Sequence, residues 1–144
     1  MESFLEVMGI KKLSSDELIM TSPIKLAYLG DAIFEVHIRT YLMNTKKGKV
    51  NELNRLAISY VNASSQAYVA RELKKCLTEE EWSLLKRGRN QKSMPPKNAN
   101  PGDYKYATGF EALLGYLYLI GENERLFEII KKSIELINNR GRDE

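Results

Sequence analysis

The sequence predicts an all-α fold of about six or seven helices, on three observations. Apolar residues recur at helical rather than alternating spacing, cap and stop residues flank the apolar stretches, and no strand pattern occurs anywhere. The first long element opens at Ser22-Pro23, where a cap residue precedes a proline whose missing N–H costs nothing in the first turn. Leu26, Leu29, Ile33, Val36 and Leu42 carry it to about Asn44, and Gly48 breaks it. Asn51 is placed to cap a second helix through Leu53, Leu56, Ala57 and Tyr60, and Ser64 or Ser65 opens a third through Tyr68, Val69 and Leu73. Thr78 followed by Glu81 has the spacing of a capping box, beginning a helix with Trp82, Leu84 and Leu85.

Gly88 to Gly102 contains Pro95-Pro96 and Pro101, and adjacent prolines do not fit inside a helix. The segment therefore reads as a loop of the length that functional loops have. Asp103 is expected to cap the next helix, which is apolar nearly all round from Phe110 to Ile120 and so belongs at the centre of the core. Gly121 ends it. A last amphipathic helix runs through Leu126, Ile129, Ile130, Ile134 and Ile137, and Asn138 to Glu144 read as a polar tail.

A chain of 144 residues, 43% hydrophobic and 28% charged, has the length of one domain, here 1–144, and enough apolar content to exclude disorder. The single cysteine, Cys76, forms no internal disulfide, fits a reducing compartment and reads as a small buried apolar residue. Met1 to Gly9 has two glutamates and no basic residue, unlike a signal peptide. The run Ala112 to Ile120 is far shorter than the ~20 residues that span a bilayer, so a cytoplasmic protein with no membrane partner is expected.

The net charge of +3 is unevenly spread. Lys86, Arg87, Arg89, Lys92, Lys97 and Lys105 face Asp103 alone, a local +5 that leaves −2 for the rest of the chain. Such a run is either solvated surface or a polyanion site.

Gly30 and Gly115 interrupt strongly apolar helices, at a cost of about 1 kcal/mol each relative to alanine. Close approach of another backbone or a ligand would explain them. Asp31 follows Gly30, and Glu111 lies in Phe110-Glu111-Ala112-Leu113-Leu114, surroundings in which acids are paired or bind a metal. Glu35, one helical turn after Asp31, would share its face about 6 Å along the axis. A divalent cation or a basic side chain would relieve the repulsion. His37, the only histidine, is off that face and reads as a surface or interface residue.

Leu26-Ala27-Tyr28-Leu29-Gly30-Asp31-Ala32-Ile33 resembles the ribonuclease III signature helix, and Thr108-Gly109-Phe110-Glu111-Ala112-Leu113-Leu114-Gly115 resembles that family's second motif, D-x-x-E-A-L-x-G. The likeness covers nearly the whole chain and ends before the double-stranded-RNA-binding domain that usually follows. In this it resembles the mini-ribonuclease III subgroup. Ala27 and Thr108 stand where the family's two other carboxylates usually lie, a departure similar to that of the subgroup.

The resemblance implies an endoribonuclease with Asp31 and Glu111 as catalytic and metal-binding residues, and with Glu35 and Thr108 in the outer shell. The implied ion is Mg2+, with Mn2+ as a substitute, since magnesium accepts few protein ligands and keeps several waters. Lys86, Arg87, Arg89, Asn90, Lys92, Lys97 and Asn98 would bind RNA, with Gln91 beside them. The implied partners are double-stranded RNA, in particular precursor 23S ribosomal RNA, a second copy of the chain, and an accessory ribosomal protein. The competing expectation, motivated by Ala27 and Thr108, is a catalytically inactive RNA-binding protein of a ribosomal particle. A helical interaction module with a basic loop explains the fold but neither motif.

Overall fold

The structure, a computed structural model, describes residues 3–92 and 94–140. Eight helices and no strand occur among these residues: α1 Phe4–Val7, α2 Ser15–Ile19, α3 Pro23–Thr45, α4 Val50–Val61, α5 Ala63–Leu73, α6 Glu79–Arg89, α7 Pro101–Leu119 and α8 Asn123–Asn139. The two short N-terminal helices exceed the sequence expectation. Each rests on a capping box, Ser3 with Glu6 and Ser14 with Glu17, rather than on an apolar stripe long enough to register. No described helix is long and apolar enough to cross a membrane.

As its all-round apolar sequence requires, α7 is central and packs against α2, α3, α5, α6 and α8. Phe110, Ala112, Leu113 and Leu114 are fully enclosed, and Phe110 meets Phe34 of α3 edge to face, with centroids 5.1 Å apart. Val69 and Leu73 of α5, Leu85 of α6 and Leu126 and Ile129 of α8 complete the core.

Glycines set how closely the central helices approach. A Cβ on Gly30 would overlap the Glu111 carbonyl oxygen, and one on Gly115 would overlap the Leu26 carbonyl oxygen. The backbones of α3 and α7 therefore touch where both glycines lie, as expected from their misplaced appearance in the sequence. Gly88 and Gly109 do the same between α6 and α7, where a Cβ on Gly88 would stand 2.8 Å from the Gly109 Cα.

Several boundaries move from the sequence reading. The Thr78–Glu81 capping box forms as expected, and Glu81 is also gripped by Arg125 through two contacts of 2.8 Å that tie α8 to α6. Asn62, not Ser64 or Ser65, caps α5, its side chain accepting from the Ser65 N–H at 2.8 Å. Asn100, not Asp103, caps α7, and Pro101 takes the first helical position. α4 starts at Val50, before Asn51, with no side-chain cap. Ser22 sits at the cap position of α3 but makes no side-chain cap bond. The connector between α6 and α7 is shorter than Gly88–Gly102, because Gly88 and Arg89 remain helical.

Asn138 is no tail residue. It belongs to α8, accepts from the Tyr60 hydroxyl at 2.6 Å and donates to the Tyr41 hydroxyl at 3.1 Å. Residues 141–144 of the expected tail lie outside the described residues. Cys76 is exposed rather than buried, because it falls in the turn after α5.

The glycine crossing yields a stability prediction. Gly30→Ala or Gly115→Ala should destabilise the protein by about 3 kcal/mol or more, since backbone rather than a flexible side chain must yield. Gly102→Ala, whose Cβ would meet only the Asn100 side chain at 3.3 Å, should be near neutral. Urea denaturation of the three variants measures the difference.

Candidate active site

Asp31 follows Gly30 on α3, and Glu111 lies one turn before Gly115 on α7. Because the glycines bring the two backbones into contact, the two carboxyls come within hydrogen-bonding reach across the helix pair. They line one cleft of about 390 Å³, together with Ala27, Tyr28, Gln66, Tyr104 and Thr108. Asp31 is exposed at its mouth and Glu111 partly buried in its wall.

Burial pushes the Glu111 carboxyl up to about 9, and contact with Asp31 adds to this, while a hydrogen bond from Gln66 pulls the other way. Glu111 therefore keeps its proton at neutral pH until a positive charge arrives. Neither acid makes an ion pair among the described residues. The two acids fit a divalent cation, which would replace that proton and relieve the repulsion. No three His, Cys, Asp or Glu side chains converge among the described residues, so an ion here would keep much of its own water.

The other expected outer residues are placed differently. Thr108 is buried in the same cleft and donates its hydroxyl hydrogen to the Tyr104 carbonyl at 2.9 Å. Its oxygen lone pairs remain to accept from a water. Glu35 lies one turn along α3 beside an adjoining cleft that includes Asp31 but not Glu111, and Arg39 pairs with it at 3.0 Å. The repulsion between Asp31 and Glu35 is thus offset by an arginine on the same helix. His37 accepts from or donates to no acid; its Nδ1 meets the Ile33 carbonyl at 2.7 Å and its ring lies against Phe127.

The basic segment divides over two faces. Arg89 stands 5.3 Å over the Tyr106 ring and donates to its hydroxyl at 3.2 Å. Arg71, which the charge count of the 86–105 segment passed over, stacks on the same ring at 4.5 Å and pairs with Asp103 at 3.4 Å. This guanidinium–tyrosine–guanidinium group sits on the N-terminal half of α7, about 7 Å along the axis from Glu111. Arg87, nearly half a turn from Arg89 on α6, lines instead a groove with Asp16, Glu80 and Tyr116. Lys86 is half-buried on α6, while Asn90, Lys92, Lys97 and Asn98 are exposed at the end of α6 and in the connector.

The ribonuclease III domain family matches residues 24–122, a span that holds both acids and both glycines of the crossing. Mini-ribonuclease 3 from Clostridium tetani is 45% identical over 136 residues, covering 93% of this chain and 90% of that one. The Mini-ribonuclease 3 of a Thermoanaerobacter species is 43% identical, over 95% and 96% of the two chains. The chain belongs to the ribonuclease III family, in its mini-ribonuclease 3 branch. A crystal structure of a Fusobacterium nucleatum protein shares the fold, with a TM-score of 0.72 at 34% identity over 79% of this chain and 92% of that one. Membership makes the chain a hydrolase of the ribonuclease III type, an endoribonuclease.

Gln66, Arg71 and Tyr106 escaped the sequence reading, although Gln66 had a legible signal. It occupies the stripe Gln66, Val69, Ala70, Leu73, whose other members all face the core. Arg71 and Tyr106 gave none, because their meeting depends on how α5 and α7 cross.

The raised Glu111 carboxyl has a consequence for stability. Its folded value lies above the ordinary 4.5, so folding favours the protonated form. The stability this lends is complete below about pH 4.5 and is lost as pH rises through about 9. Metal-free Glu111→Gln, which cannot ionise, should melt above the parent at pH 8 by roughly 5 °C or more. The gap should close towards pH 4.5, as followed by circular dichroism.

Proposed function

We propose that this chain cleaves double-stranded RNA as a Mg2+-dependent homodimer, with Mn2+ as a working substitute. The observation that carries the reading is the joining of Asp31 and Glu111 in one cleft with no cation among the described residues paired to them. When bound, the ion supplies Lewis-acid activation of water and offsets charge developing on the phosphoryl oxygens.

The chain's own residues do the rest. Asp31 and Glu111 would hold the ion, both as carboxylates. Thr108 offers its hydroxyl oxygen from the wall of the cleft, and Gly30 and Gly115 hold the two carboxylates at a fixed separation. The Arg71–Tyr106–Arg89 group supplies phosphate contacts beside the cleft, with Lys92, Lys97, Asn90 and Asn98 reaching further along the duplex. A-form RNA is read mainly by shape, phosphates and 2′-hydroxyls, which suits a rigid pair of guanidiniums better than a mobile arm.

A second copy is supported by an exposed stripe on α3. Tyr28 is 84% exposed and Met43 73%, with Ala32 and Val36 between them at helical spacing. A two-fold through this stripe would match the local two-fold of a duplex, so that each subunit addresses one strand. The biological substrate in this reading is precursor 23S ribosomal RNA in the cytoplasm, presented with an accessory ribosomal protein. The single cysteine, Cys76, is in keeping with that compartment.

An inactive RNA-binding protein is the second reading, favoured by Ala27 and Thr108 lining the cleft where carboxylates would be expected. Incubating a long labelled duplex with the protein separates the two. Cleavage should require Mg2+ and fall at least about 100-fold in Asp31→Asn and Glu111→Gln. A duplex bound in the presence of Mg2+ but left intact, precursor ribosomal RNA included, would favour the second.

Arg71→Ala and Arg89→Ala should each weaken duplex binding and reduce the salt slope by about one, measured by filter binding from 50 to 200 mM salt. Tyr28→Arg should convert the dimer to a monomer in light scattering. A parent protein that is already monomeric would remove the two-fold from the reading.

A further inference from the structure

Gln66 is 3% exposed, on a face of α5 that otherwise belongs to the core, yet it also lines the Asp31–Glu111 cleft. Its Nε2 donates to the Val61 carbonyl at 2.9 Å, and the side chain shares the cleft wall with Glu111, whose carboxyl it draws downward in pKa. Its Oε1 is buried without a partner, the one such side-chain atom found among the described residues.

Buried polar atoms nearly always find partners, so an orphan in a functional cleft calls for an explanation. Turning the amide over does not supply one, because Oε1 would then face the Val61 carbonyl oxygen, acceptor against acceptor. Nor does Thr108 across the cleft, whose hydrogen is committed to Tyr104, nor the protonated Glu111 carboxyl, whose hydrogen is shared with Asp31. The missing donor therefore belongs to whatever the cleft receives.

A divalent cation on two carboxylates brings such donors with it. It keeps several waters, each with hydrogens pointing outward that need acceptors. A neutral amide oxygen can take one without adding a third negative charge. We propose that Gln66 is a positioning residue for the cation, its Nε2 orienting the Glu111 carboxylate and its Oε1 accepting from the ion's hydration shell. This rests on the reading of Asp31 and Glu111 as the cation site.

The test is Mn2+ titration of the RNA-free protein followed by electron paramagnetic resonance, with Asp31→Asn, Gln66→Leu and Gln66→Asn beside the parent. Gln66→Leu should weaken Mn2+ about tenfold or more, the range for outer-shell partners of metal ligands. Its metal-free fold should stay intact by circular dichroism, removal of the unmet Oε1 offsetting the donor lost to the Val61 carbonyl. Gln66→Asn, which withdraws the amide by one methylene, should weaken Mn2+ similarly and provides the measurement if Gln66→Leu does not fold. Parent-like affinity in a folded Gln66 variant, with binding abolished in Asp31→Asn, would overturn the role of Gln66 and leave the cation site standing. Absence of Mn2+ binding by the parent, or equal binding by Asp31→Asn, would overturn both.

Discussion

The contact between α3 and α7 at Gly30 and Gly115 is the constraint from which the rest of the site follows. Two helices with ordinary side chains between them keep their axes 8–10 Å apart, and short acids on their facing edges have room to avoid each other. Removing both Cβ atoms lets backbone rest on backbone. Asp31, one residue after the first glycine, and Glu111, one turn before the second, then share a cleft. The edge-to-face packing of Phe34 on Phe110 locks the crossing from the core side.

That geometry is electrostatically unfavourable on its own, and the surroundings do not relieve it. Arg39 is spent on Glu35, while Arg71 and Arg89 lie on Tyr106 rather than beside the acids. An arginine within reach of Glu111 would have stabilised the protein and left no vacancy for an external cation. The chain instead keeps a proton on Glu111 and the Gln66 oxygen without a donor. Stability is lower there than it could be, a common arrangement at functional sites.

The positive charges are organised by the same packing. Gly88 and Gly109 draw α6 onto α7 as Gly30 and Gly115 draw α3, so that Arg89 reaches Tyr106 and meets Arg71 coming from α5. The Arg71–Tyr106–Arg89 group and the acidic cleft thus meet at α7, which supplies Tyr106 to one and Glu111 to the other. Arg87 is carried to the opposite side of α6 by helical rotation alone, although it neighbours Arg89 closely in sequence.

The sequence by itself determined the six longer helices, the central place of α7, the Thr78–Glu81 cap and the pairing of Asp31 with Glu111 through two motifs. These were legible because helical periodicity and capping are local, and because a glycine amid apolar helical residues signals a close neighbour. Tertiary structure alone decided that Asn138 joins Tyr41 and Tyr60, that Cys76 faces solvent, that Arg87 and Arg89 part company, and that Gln66 ends with an unmatched oxygen. Each depends on the angle and depth at which one helix crosses another. A chain written in one dimension carries its turns within a few residues, but not the contacts between elements dozens of residues apart.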